Sequence, residues 1–361
     1  MTDTQSHRSG AGLPAPDRRA SGRDAKTRRR GPVPKLGLAG GLVALVVLLV
    51  VVVLLSLAIG NKYVPLPDVI GALFNPGDSY ADAVIASRIP RTLLGLLAGA
   101  SLAVAGAVMQ GITRNPLADP GLFGVNAGAA AAIVTASAFF GMGSAAVSVW
   151  VALPGALIAV VVVYLLGSVR GTATPVRLVL AGVVVGAVLA AYIQAITLSF
   201  PKVFDSYRFW VIGSLAGRDP GLILDVLPFV IVGLVLALSL AGSLNALALG
   251  DDTASALGAH VGRTRILGAI ATTLLCAAAT AAVGPIAFIG LAVPHIVRPF
   301  TGSDHRWLLP YCLVAGPALL LLADILGRVI ASPAELMVGI ITAFVGAPIL
   351  IFAVRRMKVH A

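Results

Sequence analysis

Stretches free of charged residues make up most of this chain: 36–61, 92–113, 120–169, 178–201, 226–250, 266–297, 307–323 and 336–354. A helix rises about 1.5 Å per residue, so about 20 apolar residues cross about 30 Å of hydrocarbon. Each stretch therefore predicts a membrane helix, and 120–169 is long enough for two. The stretch 266–297 is ambiguous, because its 32 residues exceed one span and Gly284-Pro285 and Pro294 interrupt it.

Charge resolves the ambiguity, since Lys and Arg favour cytoplasmic loops near span ends. If 266–297 crosses once, the basic end Arg355, Arg356 and Lys358 falls outside. If it crosses twice, both basic ends lie inside, and 19 of the 26 Lys and Arg are cytoplasmic. The expected fold is an all-α integral membrane protein of about ten transmembrane helices, with both termini cytoplasmic. Residues 60–91, 200–222 and 324–336 then face outside. The loops 114–120, 168–177, 245–265 and 298–306 face the cytoplasm. Phe204, Tyr207, Phe209 and Trp210 predict a short interfacial helix within 200–222, because aromatic rings favour the headgroup level.

Composition supports a multi-pass membrane protein: 58% of residues are hydrophobic, 11% are charged, and mean hydropathy is +0.98. The net charge of +11 is not a nucleic-acid signature, because nine of the basic residues sit in the segment 1–35. That segment is rich in Gly, Pro, Ser and Arg, and is expected to be a disordered cytoplasmic tail that touches anionic lipid. Residues 36–361 are expected to form one transmembrane domain. Cys276 and Cys312 both lie in apolar runs and read as small hydrophobes. The five histidines form no ligand-spaced cluster, and His295 alone offers too few ligands for a metal.

Ion-coupled carriers keep ionisable residues in their spans to bind the coupling ion. Here no ionisable residue lies deep in a predicted span; Asp225 and Asp324 are near outer ends and His295 is near an inner end. This argues against a secondary transporter. The chain also has no Gly-Lys pair and hence no phosphate-binding loop of the Walker type. Uphill transport would draw on ATP hydrolysed by another subunit, so the chain reads as a transport subunit and not an enzyme. A scaffold role would leave its unusual helix ends without purpose.

Those ends supply candidate residues. Arg88 and Arg91 precede the span 92–113, and Arg328 falls in an outer loop. Such arginines either anchor helix ends by snorkelling or offer charge to an acidic partner. At the inner end, Asn115-Pro116 and Asp119-Pro120 stop one helix and start the next, and Pro294 reads similarly. They are either helix-turn residues or an inner gate. Gln110, Asn126, Gln194, Thr197 and Ser199 either line a sparse polar path or bond between helices. In the loop 245–265, Asp251 or Asp252 can cap a short helix through Leu257 that Gly258 ends, with Ala254 and Leu257 on one side.

Four blocks resemble one family: RIPRTL with GAVMQGITRNPLADPGLFGVNAG (88–128), LGAHVGRTR (257–265), GPIAFIGLAVPHIVRPFTGSDHR (284–306) and ADILGRVIASPAELMVGIITAFVGAP (323–348). They resemble the FecCD permeases of ABC importers for iron–siderophore complexes, haem and cobalamin, along about residues 40–356. One position departs from the family pattern: Met337, two positions after Glu335, stands where the family usually has proline. The resemblance implies type II ABC importer architecture and a dimer with a second copy or a related permease. Two ATP-binding subunits, using ATP and Mg, would bind inside, and an extracytoplasmic solute-binding protein outside, with no cofactor on this chain. It assigns docking to Arg88, Arg91 and Arg328, and ATPase coupling to Asp252, Ala254, Leu257, Gly258, Arg263 and Arg265. A ferric siderophore is the expected solute, with haem or cobalamin as the alternative.

Overall fold

The computed structural model describes residues 35–358, apart from 76, 143–144 and 169–174. The expectations for the basic tail up to residue 34 lie outside the described residues. Within them the chain is helical and has no strand. In order the helices are α1 (Lys35–Ala58), α2 (Leu66–Phe74), α3 (Tyr80–Thr113), α4 (Val125–Phe140), α5 (Ala145–Ser168), α6 (Pro175–Ser199) and α7 (Pro201–Trp210). They continue with α8 (Gly221–Ser239), α9 (Ala241–Leu247), α10 (Asp251–Ala256), α11 (Val261–Val283), α12 (Ile289–Thr301), α13 (His305–Ile330) and α14 (Val338–Lys358). Seven of these, α1, α3, α5, α6, α8, α11 and α13, are long and apolar enough to cross a membrane. α4 and α14 are shorter apolar helices, and α7 is the helix expected from the aromatic residues of 200–222.

α3 is the centre of the bundle. Its most apolar window is 83% buried, against 11% for α1, which places α1 at the periphery. α3 packs on α11, α12 and α13, and α11 packs in turn on α5 and α8. Small residues permit this approach, as is usual between helices in lipid. A Cβ on Gly99 would lie 2.6 Å from Pro317 Cα, and one on Gly106 would collide with the backbone of Gly290.

The helix expected from residue 92 begins at Tyr80 instead. Ser79 and Asp82 form a reciprocal capping box that starts it, and Pro90 is accommodated inside. The arginines that suggested a boundary are therefore internal to α3. They are tolerated there because other parts of the chain satisfy them.

The ambiguous stretch 266–297 does divide into two helices. α11 ends at Val283, residues 284–288 are non-helical, and α12 starts after Phe288, which takes a left-handed φ of 70°. Gly290, in the first turn of α12, faces the Leu102 carbonyl and Gly106. Leu102 lies midway between Arg91 and Thr113, about 16 Å from each along α3. α12 thus begins near mid-depth, and its 13 residues cover only about 20 Å. Broken backbone at such depth is stable only where protein supplies its hydrogen bonds. Ser214 N–H donates to the Val283 carbonyl at 2.8 Å, and Arg218 Nη2 donates to it at 3.3 Å.

Candidate functional site

Three places concentrate the sequence-predicted residues: a cleft on the face expected to lie outside (the outer cleft), a cavity between helices, and the segment around α10 on the face expected to lie inside. The outer cleft encloses about 970 Å³ and is lined in part by Lys62, Arg88, Arg91, Arg218, Arg328 and Glu335. All three predicted docking arginines reach it, but they form no exposed rim. Arg88 is 9% exposed and Arg328 1%.

Burial of a guanidinium requires partners, and the structure provides them. Arg88 Nη1 donates to the carbonyls of Leu57 at 2.6 Å and Ala58 at 3.0 Å, and Nη2 donates to that of Lys62 at 2.6 Å. These carbonyls sit at and beyond the C-terminal end of α1, where helix carbonyls lack internal partners. Arg328 lies within α13, not in a loop, and donates to the carbonyls of Ser56 and Ile59 at 2.9 and 2.7 Å. Its carboxylate partner is Asp324, one helical turn earlier, at 3.1 Å. Arg91 holds the same Asp324 through Nε and Nη2, and reaches Glu335 through Nη1 at 2.7 Å. Sequence reading missed the roles of Asp324, Glu335, Lys62 and Arg218. Only the i,i+4 spacing of Asp324 and Arg328 carried a signal.

The cavity between helices holds about 570 Å³ and is lined by residues including Asn126, Gln194, Tyr207, Trp210, Pro285 and Gly339. Of the predicted path residues, Asn126 and Gln194 line it. Asn126 is fixed by Thr280, whose hydroxyl donates to its Oδ1 at 2.8 Å. Gln110 is turned away into the α3–α12 contact, where its Nε2 donates to the Gly290 carbonyl at 3.3 Å. Thr197 is buried and Ser199 exposed; their hydroxyls donate back to the Ile193 and Ala195 carbonyls, and neither residue lines the cavity.

The inner turn residues make local bonds. Asn115 Oδ1 accepts from Leu117 N–H at 2.9 Å, and Asp119 Oδ1 accepts from Gly121 N–H at 2.8 Å. Asp119 and Pro120 thereby start a 3-10 turn over Pro120–Phe123. Burial pushes the Asp119 carboxyl up from its ordinary pKa, against the lowering effect of that N–H. Pro120 also packs against Gly290, whereas Pro294 is buried inside α12.

At α10, two details differ from expectation. The N-cap is Gly250, and Asp251 and Asp252 fall in the first turn instead of capping it. Asp251 is used to join helices: it pairs with Arg114 at the end of α3 (3.4 Å) and with Arg265 on α11 (3.1 Å). Ala254 is fully buried and Leu257 is 65% exposed, so of the two only Leu257 is presented at the surface. Gly258 ends the helix with a φ of 82°, as expected. Asp252 and Arg263 are exposed.

Comparison with known proteins agrees with this arrangement. The chain is 52% identical to the ferric enterobactin transport system permease FepD of Escherichia coli, over 86% of this chain and 94% of that protein. It is 40% identical to an Fe(3+)-citrate import permease of Bacillus subtilis, over 84% and 90%, and 39% identical to a cobalamin import permease of Halobacterium salinarum, over 76% and 73%. A metal-chelate type ABC transporter solved in an inward-facing conformation superposes with a TM-score of 0.77 at 29% identity, covering 88% of this chain and 99% of that one. The FecCD transport family model matches residues 48–356. An all-helical bundle with an arginine-lined outer cleft, matched along nearly its whole length, belongs to the FecCD transport family and is a multi-pass membrane permease of the ABC-importer type.

Proposed function

We propose that this permease carries a ferric siderophore inward across the cytoplasmic membrane. The observation that carries the substrate class is its 52% identity to a ferric enterobactin permease along 94% of that protein. In this reading two copies of the chain, or one copy and a related permease, enclose the path. Two ATPase subunits holding ATP and Mg act from the cytoplasm, and a solute-binding protein docks outside. The seven long helices with α4, α12 and α14 make ten crossings, which keeps both basic ends inside. The transmembrane domain then spans residues 36–361. The cavity lined by Asn126 and Gln194 forms part of one wall of the path. Its few polar groups suit a large solute that passes without binding tightly.

Docking uses the outer cleft. Lys62, Arg88, Arg91, Arg218 and Arg328 outnumber Asp219, Glu335 and the underlying Asp324, and this surplus steers an acidic partner and fixes its register. Coupling uses α10. Its exposed Leu257 is available to a groove on the ATPase, while Asp251 links the helix to α3 and α11. Leu257→Asp is expected to leave the protein folded, because the side chain is exposed, and to cut uptake per ATP hydrolysed severalfold. Reconstituted ATPase and uptake assays check this, and a normal ratio would remove Leu257 from the coupling surface.

The substrate is tested in proteoliposomes holding the permease, its ATPases and its binding protein. ATP-dependent uptake of ferric enterobactin or another ferric siderophore is expected. Uptake of cobalamin or haem alone would overturn the substrate class. Uptake without ATP that an ionophore abolishes would indicate a secondary carrier.

A further inference from the structure

Arg91 is shared between two carboxylates of very different burial. Nε and Nη2 grip Asp324 at 2.9 and 2.8 Å, and Asp324 is 1% exposed and also held by Arg328. The remaining edge, Nη1, meets Glu335 at 2.7 Å, and Glu335 is 30% exposed and lines the outer cleft. The Arg91–Glu335 bond is therefore the part of this network that solvent, or a competing carboxylate, can reach. With Glu335 in place, three arginines face two carboxylates, and Arg88 has carbonyl partners alone. The cleft is chemically a carboxylate receptor, and a carboxylate of its own chain occupies it.

Glu335 lies in the turn between α13 and α14. Two other bonds hold that turn: Asn61 Nδ2 to the Pro333 carbonyl at 2.9 Å, and Leu336 N–H to the Gly327 carbonyl at 3.1 Å. Four residues after Glu335, Gly339 N–H donates to the Gly213 carbonyl at 3.2 Å, and Gly339 lines the inter-helix cavity beside Ile212 and Pro285. A short covalent link thus runs from the exposed ion pair to the cavity wall.

We infer that Glu335 is a displaceable stand-in for a carboxylate of the docked solute-binding protein. Docking transfers Arg91 Nη1 from Glu335 to the partner and loosens the turn 331–337 at the head of α14. One carboxylate replaces another, so the docked state loses no ion pair. The released turn gives the outer surface a mechanical connection to the wall of the path. The inference rests on the docking reading of the cleft.

The test uses the complete importer in lipid nanodiscs, with its binding protein added and a spin label on Ala334→Cys, an exposed position in the turn. Glu335→Gln removes the competing charge and is expected to tighten association about fivefold, the scale of one exposed ion pair. In the otherwise unaltered protein the label gains mobility on docking; in Glu335→Gln it is mobile beforehand. Lys62→Glu, at a cleft residue whose side chain contacts only the Tyr80 ring among the described interactions, reports on docking itself. If Lys62→Glu weakens association while Glu335→Gln does not tighten it and the label stays fixed on docking, Glu335 is a permanent fastener and the inference is wrong. If Lys62→Glu changes neither association nor its salt dependence, the docking reading fails first.

Discussion

Asp324→Asn is expected to be the most damaging single replacement on the outer side of the permease. The side chain keeps its size and loses its charge, so any effect comes from electrostatics and not from packing. Asp324 is 1% exposed and is the carboxylate that Arg91 and Arg328 share. Its neutralisation leaves Arg328 with carbonyl and hydroxyl partners alone, and its Nε already has none. Breaking a buried pair by removing one partner costs about 3–5 kcal/mol, because the charge left behind stays desolvated. Three segments meet at this point: the end of α1 through Ser56, α3 through Arg91 and α13 through Arg328. The expected result is a melting temperature lowered by several degrees and a low yield of monodisperse protein. Asp205→Asn, which removes the exposed pair with Arg208, is the matched control and should change little. Equal melting of Asp324→Asn and the unaltered protein would show that water reaches the arginines.

The helices were legible because crossing a bilayer sets a length and an apolar content that a sequence displays directly. The break of 266–297 into α11 and α12 falls at the Gly284-Pro285 interruption that the sequence displays, although neither hydropathy nor charge indicates that α12 begins near mid-depth. That depends on Gly290 meeting Gly106, a contact between residues far apart in the chain. The same limit hid the arginine network. A charge normally marks the end of a membrane helix, so Arg88 and Arg91 suggested a boundary near residue 92. Their partners lie elsewhere: Lys62 carbonyl for Arg88, Asp324 and Glu335 for Arg91. The polar path candidates separated for a related reason. Asn126 and Gln194 line the cavity while Gln110 and Thr197 do not, and helix rotation alone decides between them. At α10 the turn chemistry of Gly258 was readable, whereas the use of Asp251 as a bridge to Arg114 and Arg265 required the fold.

Gly106→Leu should abolish uptake by attacking the contact that sets the start of α12. A Cβ at this position would collide with the carbonyl of Gly290; the atom it meets is backbone, so no side-chain rotation relieves the clash. α3 and α12 must then separate. Overpacking a tight core costs about 1–3 kcal/mol, and here the helix displaced is the one that carries the broken stretch 284–288. Its neighbours transmit the shift: Gln110 is bonded to the Gly290 carbonyl, Pro120 packs on Gly290, and Pro285 and Ala287 line the inter-helix cavity. Because the collision begins at Cβ, Gly106→Ala should already lower uptake substantially. Gly40→Leu on α1, where a Cβ meets nothing within 4 Å, should transport normally. Uptake and insertion measured together separate the possibilities. Full transport by both Gly106 variants would mean that α12 does not start against α3, and the mid-depth break would lose its structural basis.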